Sequence, residues 1–169
     1  MREQDAAEFG KLGHLLAKVQ PKSIEELIAF YAMYRPGLDK FLDEYIRRRS
    51  GKVPVTYETT ELEPILKETY GLILYQEQFM QVVHVISGLS LGKADRMRRS
   101  MGKRNVQQTE MWHGIFVEEA RKRGFSDDCI EKIWEELNRH AMYCFMKAHA
   151  VARALLLYRV AYIKANLSL

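Results

Sequence analysis

Residues 90–104 read SLGKADRMRRSMGKR, a stretch with six basic side chains and a single acid, Asp95. Met97 and Met101 lie four residues apart, so in a helix they form an apolar stripe away from most of the cations. The stretch therefore predicts a helix. Its basic face is typical either of a solvated surface helix or of a helix that meets phosphates, and periodicity leaves both interpretations open. The six cations are Lys93, Arg96, Arg98, Arg99, Lys103 and Arg104.

The composition is that of an ordinary globular protein, and we expect one domain spanning residues 1–169. Hydrophobic residues make up 47% of the chain and charged residues 28%, enough apolar material for a real core. The net charge of +4 is unevenly placed, because no acid follows Glu136. This basic C-terminal fifth favours a polyanionic partner. Its cations are Arg139, Lys147, Arg153, Arg159 and Lys164.

Nothing in the sequence indicates export or membrane insertion. Residues 1–10 contain acids where a signal peptide has an apolar core. Cys129 and Cys144 are neither a disulfide framework nor a zinc motif. The most apolar run, residues 150–163, is interrupted by Arg153 and Arg159 and is too short to span a bilayer. We therefore expect a reduced cytoplasmic protein with no membrane partner.

The hydrophobic periodicity predicts a mainly α, compact multi-helix fold with at most a minor β element. Ser23 and Glu26 have the spacing of a capping box, in which Glu26 would reach back to the amide of Ser23. The β-capable segments are residues 53–57, a short strand or extended link, and 72–75. A turn is expected at 34–37. The predicted helices are 7–19, 24–34, 38–49, 61–69, 76–87, 93–104, 106–122, 127–143 and 147–166.

The chain lacks the residue patterns of the common catalytic sites. The five histidines are dispersed, and the sequence contains no P-loop, no G-x-S-x-G and no H-E-x-x-H motif. Adjacent glutamates such as Glu118 and Glu119 diverge around a helix, so they do not converge on magnesium. Glu77 opens a predicted helix, where a carboxylate offsets the helix dipole, and capping is favoured over catalysis. We therefore predict no catalytic residue and no metal ligand.

Lys147 and His149 occupy the predicted start of the last helix. Free backbone amides and the positive end of the helix dipole already favour an anion there, so cations in the first turn are unfavourable. Their presence suggests that an anion is expected between them.

Seven motifs, in order along the chain, resemble the bacterial DNA polymerase III alpha subunit, the C-family replicative DNA polymerase. The resemblance covers about residues 21–166, continues into YRVAYIKAN at 158–166, and corresponds to the fingers, the region that closes on the incoming nucleotide. The motifs are YRPG (34–37), LEPIL (62–66), TYG (69–71), YQEQ (75–78), SLGKAD (90–95), RRSMGK (98–103) and YCFMKAH (143–149).

The resemblance implies that Arg98 and Arg99 reach the phosphates of a deoxynucleoside triphosphate and that Lys147 and His149 help to bind it. We expect the four side chains to converge on one concave surface, since both motifs carry cations without nearby acids. The implied partners are DNA, the nucleotide, and the rest of the polymerase or replisome. Charge placement adds weak, sequence-independent DNA contacts. The residues expected to make them are Lys93, Arg96, Lys103, Arg104 and Arg153.

The chain departs from the family pattern around the expected nucleotide pocket. Cys144, Met146 and Ala148 replace the glycine, asparagine and serine of the family's Tyr-Gly-Phe-Asn-Lys-Ser-His motif. Loss of the polar helix-start residues removes capping groups worth about 1 kcal/mol. Arg153 stands where the family usually has tyrosine, and Leu38 replaces the second proline of the Tyr-Arg-Pro-Gly-Pro motif. The four basic side chains remain.

The family's catalytic aspartates lie in an upstream palm segment that has no counterpart in this sequence. The phosphoesterase, clamp-binding, helix-hairpin-helix and OB parts have none either. We therefore expect a polymerase fragment that is not catalytic alone and holds no cofactor, with magnesium bound only when the palm is present. Two alternatives are a free-standing divergent paralogue that acts as a protein-interaction module, and an unrelated basic helical DNA-binding protein.

Overall fold

The computed structural model describes residues 13, 15–35 and 38–166, without the side chains of residues 39 and 40. A helical segment at 15–19 precedes the labelled helices. Two short 3₁₀ turns, Thr60–Leu62 and Lys67–Thr69, flank the third helix. The α-helices are α1 (Ile24–Met33), α2 (Asp39–Arg49), α3 (Glu63–Leu66), α4 (Gln76–Ser87), α5 (Leu91–Gly102), α6 (Val106–Lys122), α7 (Asp127–His140) and α8 (Lys147–Asn166).

Side-chain caps begin four of these helices. Ser23, Ser90, Asn105 and Ser126 each accept a hydrogen bond from the backbone amide three residues further on. The predicted capping box at α1 is only half correct. The carboxylate of Glu26 accepts from the amide of Lys22 at 2.7 Å, one residue before the expected position.

The mainly α fold is confirmed, with corrections at two predicted segments. The predicted helix 61–69 is a 3₁₀–α–3₁₀ sequence, in which Pro64 lies in the first turn of an α-helix of only four residues. The predicted helix 127–143 ends at His140, whose carbonyl accepts from the amides of both Tyr143 and Cys144. Most of the predicted 7–19 helix, and Pro36 and Gly37 of the predicted turn, lie outside the described residues.

The β structure of the described residues is a single isolated parallel bridge between Tyr75 and Phe145. The amide of Phe145 donates to the carbonyl of Leu74, and the amide of Gln76 donates to the carbonyl of Phe145, each at 2.9 Å. Residues 53–57 form no strand. The bridge ties the segment before α4 to the loop before α8, so it positions the starts of both helices.

Two hydrophobic cores meet at this bridge. Core 1 is formed mainly by α3 to α7, and core 2 mainly by α1, α2 and the first half of α8. Because an extended chain points successive side chains to opposite sides, Ile73 enters core 1 while Leu72 and Leu74 enter core 2. Cys144 and Phe145 divide between the cores in the same way. The two crossing segments, residues 72–76 and 141–147, are called the junction below.

Gly71 precedes the junction with φ +83°, in the left-handed region that favours glycine. A Cβ atom there would lie 2.8 Å from Nη1 of Arg48, whose guanidinium donates to the carbonyl of Tyr70 at 3.2 Å. The glycine therefore allows α2 to approach the chain just before the bridge. Among the helices described, none has the length and apolar content needed to cross a membrane.

Candidate nucleotide-binding site

Helix α5 holds its basic residues outward by burying its other side against core 1. Ala94, Met97 and Met101 are buried there, which confirms the apolar stripe predicted from the sequence. The Ser90 hydroxyl caps the helix. Four exposed cations, called the α5 cations below, lie on this helix or directly after its end, and none of them has an ion-pair partner in the described part of the chain. They are Lys93, Arg96, Lys103 and Arg104.

Asp95 binds both arginines of the predicted site. One carboxylate oxygen accepts from Nη2 of Arg98 at 2.8 Å, and the other accepts from Nε of Arg99 at 2.8 Å. Burial of the Asp95 carboxyl would raise its pKa, but the two arginines outweigh burial and hold the pKa below its usual range. The Arg98 side chain is 13% exposed and that of Arg99 66% exposed. Arg99 is therefore the more accessible of the two.

Two acids contact Lys147. Its ammonium lies 2.8 and 2.7 Å from the two carboxylate oxygens of Glu68, and 5.3 Å from the centroid of the Tyr75 ring. Its backbone amide donates to Glu77 at 3.1 and 3.2 Å, so a carboxylate from α4 caps the start of α8. The ring of the exposed His149 packs edge-on against Phe145, with centroids 5.4 Å apart.

The prediction that these cations lack nearby acids is wrong. Asp95 pairs with Arg98 and Arg99, and Glu68 pairs with Lys147. At the start of α8, the Glu77 carboxylate accepts a hydrogen bond from the backbone amide of Lys147, while an anion between Lys147 and His149 stays a prediction. The missing helix-start asparagine is thus replaced by a cap from a residue 70 positions away.

The structure brings the α5 motif next to the loop that leads into α8. Burial raises the pKa of the Cys144 thiol to about 12, and the nearby Arg98 guanidinium opposes that rise. Further along α5, a Cβ atom on Gly102 would lie 3.4 Å from the carbonyl oxygen of Ala141. Nε of Arg104 lies 3.1 Å from Sδ of Met142. The end of α5 and the residues just after it therefore lie against residues 141 and 142, in the loop that leads into Lys147, while convergence of all four cations on one surface stays a prediction.

Arg35 contacts the loop before α8 from the side of core 2. Its Nη2 donates to the carbonyl oxygen of Tyr143, and its guanidinium lies over the Phe145 ring, 4.8 Å from the centroid. Arg35 belongs to the YRPG motif, but its sequence position gives no sign of a contact 108 residues away. Sequence reasoning also missed Glu68, 79 residues from its partner Lys147.

The remaining predicted nucleic-acid contact, Arg153, is exposed on α8. It is on the same helix as Lys147 and His149, one to two turns further along. Across residues 13, 15–35 and 38–166, no group of three or more His, Cys, Asp or Glu side chains could hold a metal ion.

Comparison with known proteins shows the family to which the chain belongs. The model of the bacterial DNA polymerase III alpha subunit finger domain matches residues 8–124. The chain belongs to this finger-domain family. A DNA polymerase III subunit alpha from Aquifex aeolicus is 42% identical over 154 residues, which are 90% of this chain. Proteins of the same name from Treponema pallidum and Thermus aquaticus are 43% and 39% identical over 90% and 94% of it.

The finger domain spans only a small part of these relatives. The matched region is 13% of the length of each of the three proteins. The matches extend beyond the residues of the family model, which end at 124, and therefore include part or all of the α8 region.

Proposed function

We propose that this finger domain binds the phosphates of an incoming deoxynucleoside triphosphate for a replicative DNA polymerase. The contacts come from Arg98 and Arg99 on α5 and from Lys147 and His149 at the start of α8. The observation that carries the proposal is the packing of the end of α5 against the loop that leads into Lys147, where a Cβ atom on Gly102 would lie 3.4 Å from the carbonyl oxygen of Ala141 and Nε of Arg104 lies 3.1 Å from Sδ of Met142. Guanidinium groups suit this task because they bind phosphate oxygens through paired, charge-assisted hydrogen bonds.

The exposed cations of α5, with Arg153 of α8, contact the DNA backbone in this proposal. Their lack of ion-pair partners among the described residues supports it, because unpaired cations are free to neutralise phosphates. Such contacts carry little sequence information, so the expected binding is sequence-independent.

The finger domain works as part of a larger polymerase and does not catalyse alone. Phosphoryl transfer needs acids that hold magnesium, and the described residues offer no cluster of that kind. Magnesium would enter with a palm, and the remainder of the polymerase is the expected protein partner. Exposed apolar side chains on α8 suit such a contact. They include Leu155, Leu156, Tyr158, Tyr162 and Ile163.

Arg99 gives the most direct test of nucleotide binding, because it is exposed and lies on the proposed phosphate side of α5. Arg99→Gln should weaken binding of a deoxynucleoside triphosphate about tenfold, as expected for the loss of a charge-assisted hydrogen bond. Isothermal titration calorimetry on the 169-residue chain measures this. Lys132→Gln is the matched control, since Lys132 pairs with Asp128 on α7. Equal affinity of Arg99→Gln and the unaltered chain would contradict the proposal.

A primer-extension assay tests the absence of catalysis. The purified chain, supplied with primed template, nucleotides and magnesium, should add no nucleotide to the primer. Extension that persists after removal of contaminating polymerases would reveal a metal site in this chain and overturn this part of the proposal.

A further inference from the structure

The Lys147 ammonium, which the proposed function assigns to a phosphate, forms an ion pair with Glu68. Both oxygens of Glu68 lie within hydrogen-bond distance of the Lys147 ammonium, at 2.7 and 2.8 Å. The two side chains are 38% and 33% exposed. A pair at this depth exchanges partners more readily than a buried one, because water can solvate each group as it separates.

The surroundings of Lys147 are acidic rather than basic. Glu77 accepts a hydrogen bond from its backbone amide. The pKa of the Glu25 carboxyl, in the first turn of α1, is lowered, mainly by the Ser23 hydroxyl and in smaller part by the charge of Lys147. Two carboxylates thus contact Lys147, Glu68 at its ammonium and Glu77 at its backbone amide. A triphosphate that approaches Lys147 is repelled by these acids unless the ammonium is released from Glu68.

We propose that Glu68 sets the nucleotide affinity of the domain by competing with the triphosphate for the Lys147 ammonium. This inference rests on the proposed function. Lys147 leaves the carboxylate of Glu68 when it contacts phosphate, and returns to it when the nucleotide leaves. The flexible four-carbon stem of lysine permits the change. The ring of Tyr75 lies near the ammonium in the nucleotide-free arrangement and gives it a second stabilising contact there.

The competition predicts a gain of affinity from the loss of a contact. Glu68→Gln removes the competing charge and keeps the size of the side chain, so the affinity for a deoxynucleoside triphosphate should rise about threefold. A residue that only supported the structure of the site would give a loss instead. Glu119→Gln is the matched control, because Glu119 pairs with Lys122 on α6. It should leave the affinity unchanged.

The experiment compares four chains by calorimetric titration with a deoxynucleoside triphosphate, after thermal melting has shown that each is folded. They are the unaltered chain, Glu68→Gln, Lys147→Gln and the double variant. Lys147→Gln should weaken binding, and in its background Glu68→Gln should leave the affinity unchanged, as the Glu119→Gln control does. Inorganic triphosphate, used as a second ligand, should show the same pattern because the competition concerns phosphate charge alone.

The outcomes separate the inference from the proposed function. If Lys147→Gln weakens binding but Glu68→Gln weakens it too or leaves it unchanged, Glu68 does not compete for Lys147 and the inference is overturned. If Glu68→Gln strengthens binding equally with and without Lys147, the gain is general electrostatics and the inference is again overturned. If Lys147→Gln leaves the affinity unchanged, the assignment of Lys147 to the phosphates fails.

Discussion

Asp95 joins the two arginines of the candidate site, and its ionisation should make their arrangement depend on pH. Because the folded pKa of Asp95 is depressed, its ion pairs stabilise the fold fully above the unfolded pKa of about 3.9. This contribution is lost as the pH falls through the lower, folded pKa. Asp95→Asn should therefore lower the free energy of unfolding by about 1 kcal/mol at neutral pH and change it little near pH 2. Denaturant titration at both pH values measures the difference.

The matched control for this prediction is Asp127→Asn, which removes another acid paired with an arginine but leaves α5 intact. Asp127 lies at the exposed start of α7 and binds Arg121 at 2.7 Å. A difference between Asp95→Asn and the unaltered chain that stays constant from neutral to acid pH would contradict the assignment of the stability to the Asp95 ion pairs.

At the scale of the helix, Glu77 is the cap that keeps Lys147 and His149 in place. The residue before α8 is Met146, which has no polar group to accept the amide of Lys147. Glu77→Ala should therefore lower the free energy of opening the first turn of α8 by about 1 kcal/mol. Hydrogen exchange at the Lys147 amide measures it, and Glu77→Gln, which keeps an acceptor, should retain most of the protection. Unchanged exchange in Glu77→Ala would show that the cap is not needed.

Local patterns predicted the helices well, because caps and apolar stripes act over three or four residues. Helix α7 begins at Asp127 as predicted, and Met97 and Met101 bury the predicted side of α5. The C-terminal end of α7 was predicted three residues too late, because it depends on contacts with residues that are distant in the sequence. Cys144 enters core 1 and Phe145 pairs with Leu74, which turns the chain after His140.

The site was predicted less completely than the helices, for a similar reason. Motif resemblance selected Arg98, Arg99, Lys147 and His149 as candidate residues. Two acids bind three of these residues. Asp95 lies in the same helix as Arg98 and Arg99, whereas Glu68 is distant in the sequence from Lys147 and meets it only in the folded chain. Local patterns in a single sequence do not reveal which residues meet across 79 positions. The pairing of Lys147 with Glu68 was therefore found only in the structure.

On the scale of the whole molecule, the uneven placement of charge is the main feature. The exposed cations of α5 repel one another unless a polyanion or salt screens them. The four concerned are Lys93, Arg96, Lys103 and Arg104. Four other cations of the molecule are already balanced by carboxylates. Arg121, Lys122, Lys132 and Arg139 each form ion pairs. The first set thus has no ion-pair partner among the described residues, whereas each member of the second set has one.

The contrast between unpaired and paired cations gives a prediction for DNA binding. It distinguishes the effect of where the cations lie from the effect of net charge. Changing the four α5 cations to glutamine should nearly abolish binding to duplex DNA at about 50 mM salt. It should also reduce the slope of the logarithm of the affinity against the logarithm of the salt concentration by about 0.9 for each cation that contacts a phosphate. Fluorescence anisotropy with a labelled duplex, titrated over a range of salt concentrations, measures both quantities.

The same change at the four paired cations alters the net charge equally and serves as the control. Because those cations are balanced by acids, their loss should leave the salt slope close to that of the unaltered chain. Equal losses in the two variants would mean that overall charge alone attracts DNA. A larger loss in the α5 variant assigns the contact to the outer side of α5, the helix that also carries the arginines proposed to bind the triphosphate.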